Sequence, residues 1–165
     1  MIIIYINFKV IFVKITAVNT ENFKHKIQLR VRTYEVDSQG IVHNAVYLQY
    51  LETARIEYRR NLGYRILPTG IFNDGLKVVV VNNTINYKGF AFLDELLNVY
   101  TRIEWIKNSS FCFEQLIESD NTKNIICEAK GILVNIHPTE NTPIILADNF
   151  INDIKKFEPQ LKLIK

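Results

Sequence analysis

The sequence predicts an α+β domain in which one long central helix is wrapped by a mainly antiparallel β-sheet. Three patterns carry that prediction. A period-2 stretch comes first, near Ile27–Tyr34. A single long helical stripe follows over about residues 44–62, and then four β-type segments run one after another through turn-type connectors. Helix and strands are segregated rather than alternating, which argues against a doubly wound parallel sheet.

In the first strand Ile27, Leu29, Val31 and Thr33 alternate with Gln28, Arg30, Arg32 and Tyr34, the signature of a half-buried strand. The turn-like stretch EVDSQG ends it at Gly40. The helix then spans about Asn44 to Leu62, with Asn44 the expected N-cap and Gly63 the stop just past its end. Tyr47, Leu51, Ala54 and Tyr58 form one apolar stripe, while Glu52, Arg55, Arg59 and Arg60 are expected on the opposite face. At ~1.5 Å per residue such a helix is roughly 28 Å long, enough to cross a small sheet.

Beyond the loop YRILPTGIFNDG the four β segments are Lys77–Tyr87, Glu95–Ile106, Ser110–Glu118 and Ile125–Ile136. The connectors KNSS and SDNTKN are turn chemistry suited to an antiparallel meander. Phe150, Ile154 and Phe157 predict a short closing helix before Pro159. A lone sheet of this kind leaves an edge and a face that call for a partner, so a homodimer or homotetramer is expected.

Composition narrows the function classes. At 165 residues, 48% hydrophobic and 22% charged, the chain can bury a real core and is not a disordered segment. The net charge of +3 is spread without a basic run, which argues against nucleic acid. Cys112 and Cys127 form no CxxC pair, and both lie in apolar strand-like segments. They read as buried thiols, or else as a disulfide between neighbouring strands. His25, His43 and His137 lack the spacing of a zinc site, so no metal and no cofactor is expected. The opening stretch MIIIYINFKVIFVKITAV is apolar but interrupted by Lys9 and Lys14. It is neither a spanning helix nor a secretory signal, and it reads as an extra strand or an extension. Residues 1–24 are therefore set apart from a working domain over 25–165, with no membrane partner and a cytoplasmic location expected.

The stretch that carries chemistry is YEVDSQGIVHNAVYLQYLETAR, Tyr34 to Arg55. Asp37, Gly40, Val42, His43, Tyr47, Tyr50, Glu52, Ala54 and Arg55 fill a pattern that resembles the 4-hydroxybenzoyl-CoA thioesterase family of hotdog-fold enzymes. Downstream, INYKGFAFLDEL resembles the family's next landmark, and the resemblance covers about residues 25–145. It implies a hotdog fold and hydrolysis of an acyl-CoA thioester, with acyl carrier protein a possible alternative thiol portion. Two departures stand out. Many bacterial relatives place a histidine where Asn44 stands, and KGFAF lacks the Pro and Arg often found there.

The residues suit that reaction. A carboxylate just before a helix can serve as general base or nucleophile. The helix start supplies free N–H groups and a positive dipole end for a developing oxyanion. The resemblance implies Asp37 as the carboxylate, His43 as a catalytic helper, the backbone N–H near Asn44 as oxyanion donor, and Gly40 and Tyr47 as substrate contacts. Taken alone, Asp37 is a turn former and Tyr47 and Tyr50 are packing residues; HNAVYLQYLETAR is what turns the reading toward catalysis. Glu52 is expected to pair with Arg55 along the helix, with Glu52 a reserve carboxylate. Arg59, Arg60, Arg65 and Lys88 are expected to be solvated. The alternative function is a non-catalytic hotdog protein that binds an acyl thioester and could dispense with Asp37. A hotdog dehydratase ranks last, because neither His25 nor His137 lies in a suitable motif.

Overall fold

The computed structural model describes residues 2–6, 9–13 and 20–164. Strands β1 (Ile2–Ile6) and β2 (Lys9–Val13) pair antiparallel with each other and form their own two-stranded sheet. The rest of the expected extension before residue 20 lies outside the described residues.

The main sheet contains β3 (His25–Arg30), β4 (Val78–Tyr87), β5 (Leu96–Ile106), β6 (Ser110–Ser119), β7 (Ile125–Asn135) and the short β8 (Lys162–Leu163). Its order is β3-β5-β6-β7-β4, antiparallel throughout, with β8 parallel to β5. Strand β3 covers only Leu96–Thr101 of β5, and β8 takes Trp105–Ile106 further along. Register shifts at Val80/Asn82, Ile103/Trp105 and Ile117/Glu118 add residues to one strand of a pair. Such bulges bend strands and increase twist, which lets the sheet curl around a helix.

That helix is α1 (Asn44–Asn61), and the sheet wrapped around it is the hotdog arrangement. It ends where predicted: Leu62 caps it and Gly63 takes φ +91°, the left-handed conformation that glycine adopts without cost. Tyr47, Leu51, Ala54 and Tyr58 are all buried, as their spacing requires. Arg55 and Arg59 are buried too, against the expectation that they share the solvent face. The curled sheet and the loop after α1 cover more of the helix than a single stripe. Glu52 stays exposed, and the expected Glu52–Arg55 pair does not form. Instead Arg55 donates to Gln115 Oε1 at 3.2 Å, and Gln115 Nε2 donates to Leu51 O (2.9 Å) and Thr101 Oγ1 (3.0 Å). Gly131 makes room for this: a Cβ there would stand 3.3 Å from an Arg55 nitrogen and 3.1 Å from Asn83 Oδ1.

This polar seam separates two apolar clusters. One surrounds the first half of α1 and includes Val42, Tyr47, Leu51, Leu97, Val99, Ile117 and Cys127. The other surrounds the second half and includes Tyr58, Phe72, Phe111, Phe113, Phe150 and Ile154. The last two come from α2 (Asp148–Phe157), the closing helix that the sequence predicts. Next to it Tyr58 donates to the buried Glu158 at 2.7 Å, and burial raises that carboxyl above the ordinary range. Cys112 lies opposite Ile132 and Cys127 opposite Ile117, so the two thiols do not meet. Both are free and buried, and burial pushes them up to about 11 and about 12. Among the described residues, no helix is long and apolar enough to cross a membrane.

Candidate active site

After β3 the chain makes a 3₁₀ turn over Thr33–Glu35 and then a small hairpin in which Val36 bridges Val42. The tip is built from residues suited to it. Asp37 N–H donates to Ile41 O (2.9 Å), Gly40 N–H donates to Asp37 O (3.0 Å), and Gly40 takes φ +78°. The Asp37 carboxylate accepts the Gln39 N–H through Oδ1 at 2.7 Å, the local bond by which Asp stabilises turns. Its other oxygen has no bond among the described residues, and the side chain is half-buried. A Cβ at Gly40 would meet no protein atom within 4 Å, so the glycine serves conformation rather than a close protein approach.

The hairpin is anchored on two sides. Val42 N–H donates to Ala91 O at 2.9 Å and Ile41 bridges Phe92, while His43 N–H donates to Glu35 O at 2.9 Å. Helix α1 then begins at once. The N-cap is His43 and not Asn44: His43 Nδ1 accepts the Ala45 N–H at 3.2 Å, and its carbonyl accepts Val46 N–H at 2.9 Å. An imidazole nitrogen two residues before the donor does what a Ser or Asp oxygen usually does. It also places the ring proton on Nε2 in the neutral form. Asn44 becomes the first helical residue, exposed, and among the described residues its N–H makes no hydrogen bond. Six residues therefore separate a carboxylate with an open oxygen from an unused N–H at the positive end of a five-turn helix.

Tyr47 is buried behind this site and accepts the Ala91 N–H at 3.3 Å; burial raises its phenol to about 12. Its ring meets Tyr50 and Tyr87 edge-on, and Tyr87 O–H donates to the Asn44 carbonyl at 3.0 Å. Tyr34, Phe90, Phe92 and Leu93 form an exposed apolar rim beside the hairpin, more than half of each side chain open to solvent. Sequence reasoning missed Glu35, which is buried beneath the hairpin and accepts hydrogen bonds from Tyr50 O–H and Arg32 N–H, each at 2.7 Å. Alternation could not have found it, because the strand ends at Arg30 and the 3₁₀ turn over Thr33–Glu35 breaks the parity, leaving Thr33 exposed and Glu35 buried. Among the described residues, no three of His, Cys, Asp and Glu stand close enough to hold a metal ion.

Comparison with known proteins agrees with the fold. A chain with one long helix wrapped by this sheet falls among the hotdog-fold thioesterases. The thioesterase superfamily pattern matches residues 39–126, more than half of the sequence, and the chain belongs to that superfamily. The acyl-CoA thioesterase YbgC of Haemophilus influenzae is 37% identical over 109 residues, 62% of this chain and 79% of that protein. The acyl-CoA thioester hydrolase YbgC of Escherichia coli O157:H7 is 27% identical over 139 residues, 84% of this chain and 99% of that protein. A thioesterase from Thermus thermophilus, solved in complex with coenzyme A and Zn, superposes with a TM-score of 0.72 at 27% identity, covering 84% of this chain and 97% of that one.

Proposed function

We propose that the chain hydrolyses acyl-CoA thioesters to a free acid and coenzyme A, with Asp37 as the reacting carboxylate. The observation that carries this reading is the open Asp37 oxygen in the same short hairpin that delivers the unused Asn44 N–H. As general base, Asp37 takes a proton from water while the water oxygen bonds to the thioester carbon. As nucleophile, its carboxylate forms a mixed anhydride that water then cleaves. In either course the carbonyl oxygen gains negative charge next to the Asn44 N–H, and the C–S bond breaks as coenzyme A leaves. His43, through its Nε2–H, is the hydrogen-bond donor to the departing thiolate, which takes its proton from water after the C–S bond breaks. Gly40 holds the turn and Tyr47 holds the Ala91 segment against which the acyl-thioester lies. The superfamily match opens at Gln39, so the role of Asp37 stands on this local geometry. The experiment is thiol release from a panel of acyl-CoAs and acyl-carrier-protein thioesters by the full chain. Release from at least one carries the reading, and a protein that binds them without release is a binding module.

The working form is a homodimer built on β4. Among the described residues that strand pairs only with β7, and Val79, Val80 and Val81 on it are all exposed. An apolar strand with a free edge is a template for a second strand. A two-fold antiparallel pairing of β4 with its copy sets the partner's Val78 end beside the Tyr87 end, where Tyr87 meets Asn44. The loop at residues 64–76 lies a helix length, roughly 27 Å, from Asp37 in its own chain, and the pairing brings the partner's loop to this end instead. Val80→Lys is expected to convert a dimer to a monomer in sedimentation equilibrium. A monomeric parent protein contradicts this arrangement.

A further inference from the structure

The acid two residues before Asp37 has no assigned role, and its surroundings are unusual. Glu35 is only 6% exposed. A buried carboxylate is costly unless its lone pairs are used, and a leucine would fill the same space without that requirement. Here one oxygen accepts two short charge-assisted bonds, from Arg32 N–H and Tyr50 O–H. The Glu35 backbone carbonyl accepts His43 N–H, one residue before α1. Glu35 therefore meets the exit of β3, the body of α1 and the cap of α1, and the Asp37 hairpin hangs between residues 35 and 43. Burial, with the carboxylate as acceptor, raises the Tyr50 phenol far above its ordinary value, so it remains a donor throughout the neutral range.

We propose that Glu35 and Tyr50 form a positioning pair that fixes the Asp37 hairpin against the N-terminus of α1, holding the carboxylate and the Asn44 N–H in reacting register. This rests on the thioesterase reading above. Glu35 does not face the open side of the hairpin and touches no substrate; it acts through the backbone it holds. The pair offers what turn chemistry alone lacks, a link from the hairpin to the rigid part of the helix.

The test uses the full chain with three variants: Tyr50→Phe, Glu35→Leu, and Glu35→Gln, whose amide oxygen can still accept both bonds. Misplacement of a reacting group by about 1 Å costs about 100-fold, so Tyr50→Phe and Glu35→Leu are expected to lower kcat by about 10- to 100-fold. KM should change little, and Glu35→Gln should restore most of the rate. Amide exchange at His43 and Gln39 should accelerate at least about tenfold in the first two variants while β6 amides keep their protection. A loss confined to KM, a Gln variant as impaired as Leu, or unchanged His43 and Gln39 exchange overturns the proposal. If the parent protein releases no thiol, the thioesterase reading fails, and exchange at His43 and Gln39 still decides whether the pair holds the hairpin.

Discussion

Asp37→Asn is expected to lower kcat for acyl-CoA hydrolysis by about 10²- to 10⁴-fold, the range typical of removing a positioned acid–base group. The substitution isolates chemistry from folding. The Asp37 side chain makes one bond, to Gln39 N–H at 2.7 Å, and an Asn oxygen can make the same bond in the same turn. The backbone bonds that close the hairpin, from Asp37 N–H to Ile41 O and from Gly40 N–H to Asp37 O, do not involve the side chain. What is lost is a negatively charged oxygen able to take a proton or attack carbon. Melting temperature and KM should therefore stay near the parent values while kcat falls. If kcat holds, the reacting carboxylate lies elsewhere, and Glu52, exposed on the helix, is the next to replace.

The largest stability effect is expected at Arg59. Its guanidinium pairs with Asp74 with both side chains almost wholly buried, 5% and 1% exposed, and it lies 3.9 Å above the Phe72 ring. Asp74 also accepts Leu76 N–H at 3.1 Å, so the pair ties α1 to the loop that leads into β4. Arg59→Leu leaves a buried carboxylate without its cation, which costs about 3–5 kcal/mol. For a chain of this size that corresponds to a Tm lower by roughly 10 °C. Arg60→Leu is the internal comparison: its pair with Glu57 is largely exposed, and such pairs contribute at most about 1 kcal/mol. Urea denaturation of both variants reads the difference. Adding Asp74→Leu to Arg59→Leu should recover part of the loss, because an apolar pair of similar volume does not strand a charge. Equal effects at positions 59 and 60 contradict this account.

Period and turn chemistry reach the elements themselves: the helix, the four later strands and the closing helix stand within a residue or so of where alternation, Gly63 and the connectors place them. Local rules do not convey how far a sheet curls. The bulges appear only once strands pair, and the curled sheet together with the loop that carries Phe72 and Asp74 is why Arg55 and Arg59 lie inside. Capping shows the same limit on a smaller scale. Propensity favours Asn44, yet the bond from His43 N–H to Glu35 O sets the helix start one residue earlier, and the imidazole takes the cap. The short β8 and the Glu35–Tyr50 contact depend on chain segments that meet only in the folded state.

The most direct test of the central claim is a single-turnover experiment with the full chain in excess over an acyl-CoA that it binds. Acid-quenched samples are analysed for intact thioester, free acid and coenzyme A, with the parent protein and Asp37→Ala run side by side. The account predicts that the parent converts the thioester fully to equal amounts of acid and coenzyme A, while Asp37→Ala holds it intact over the same interval. Recovery of intact acyl-CoA from the parent protein, or equal conversion by both, would contradict it.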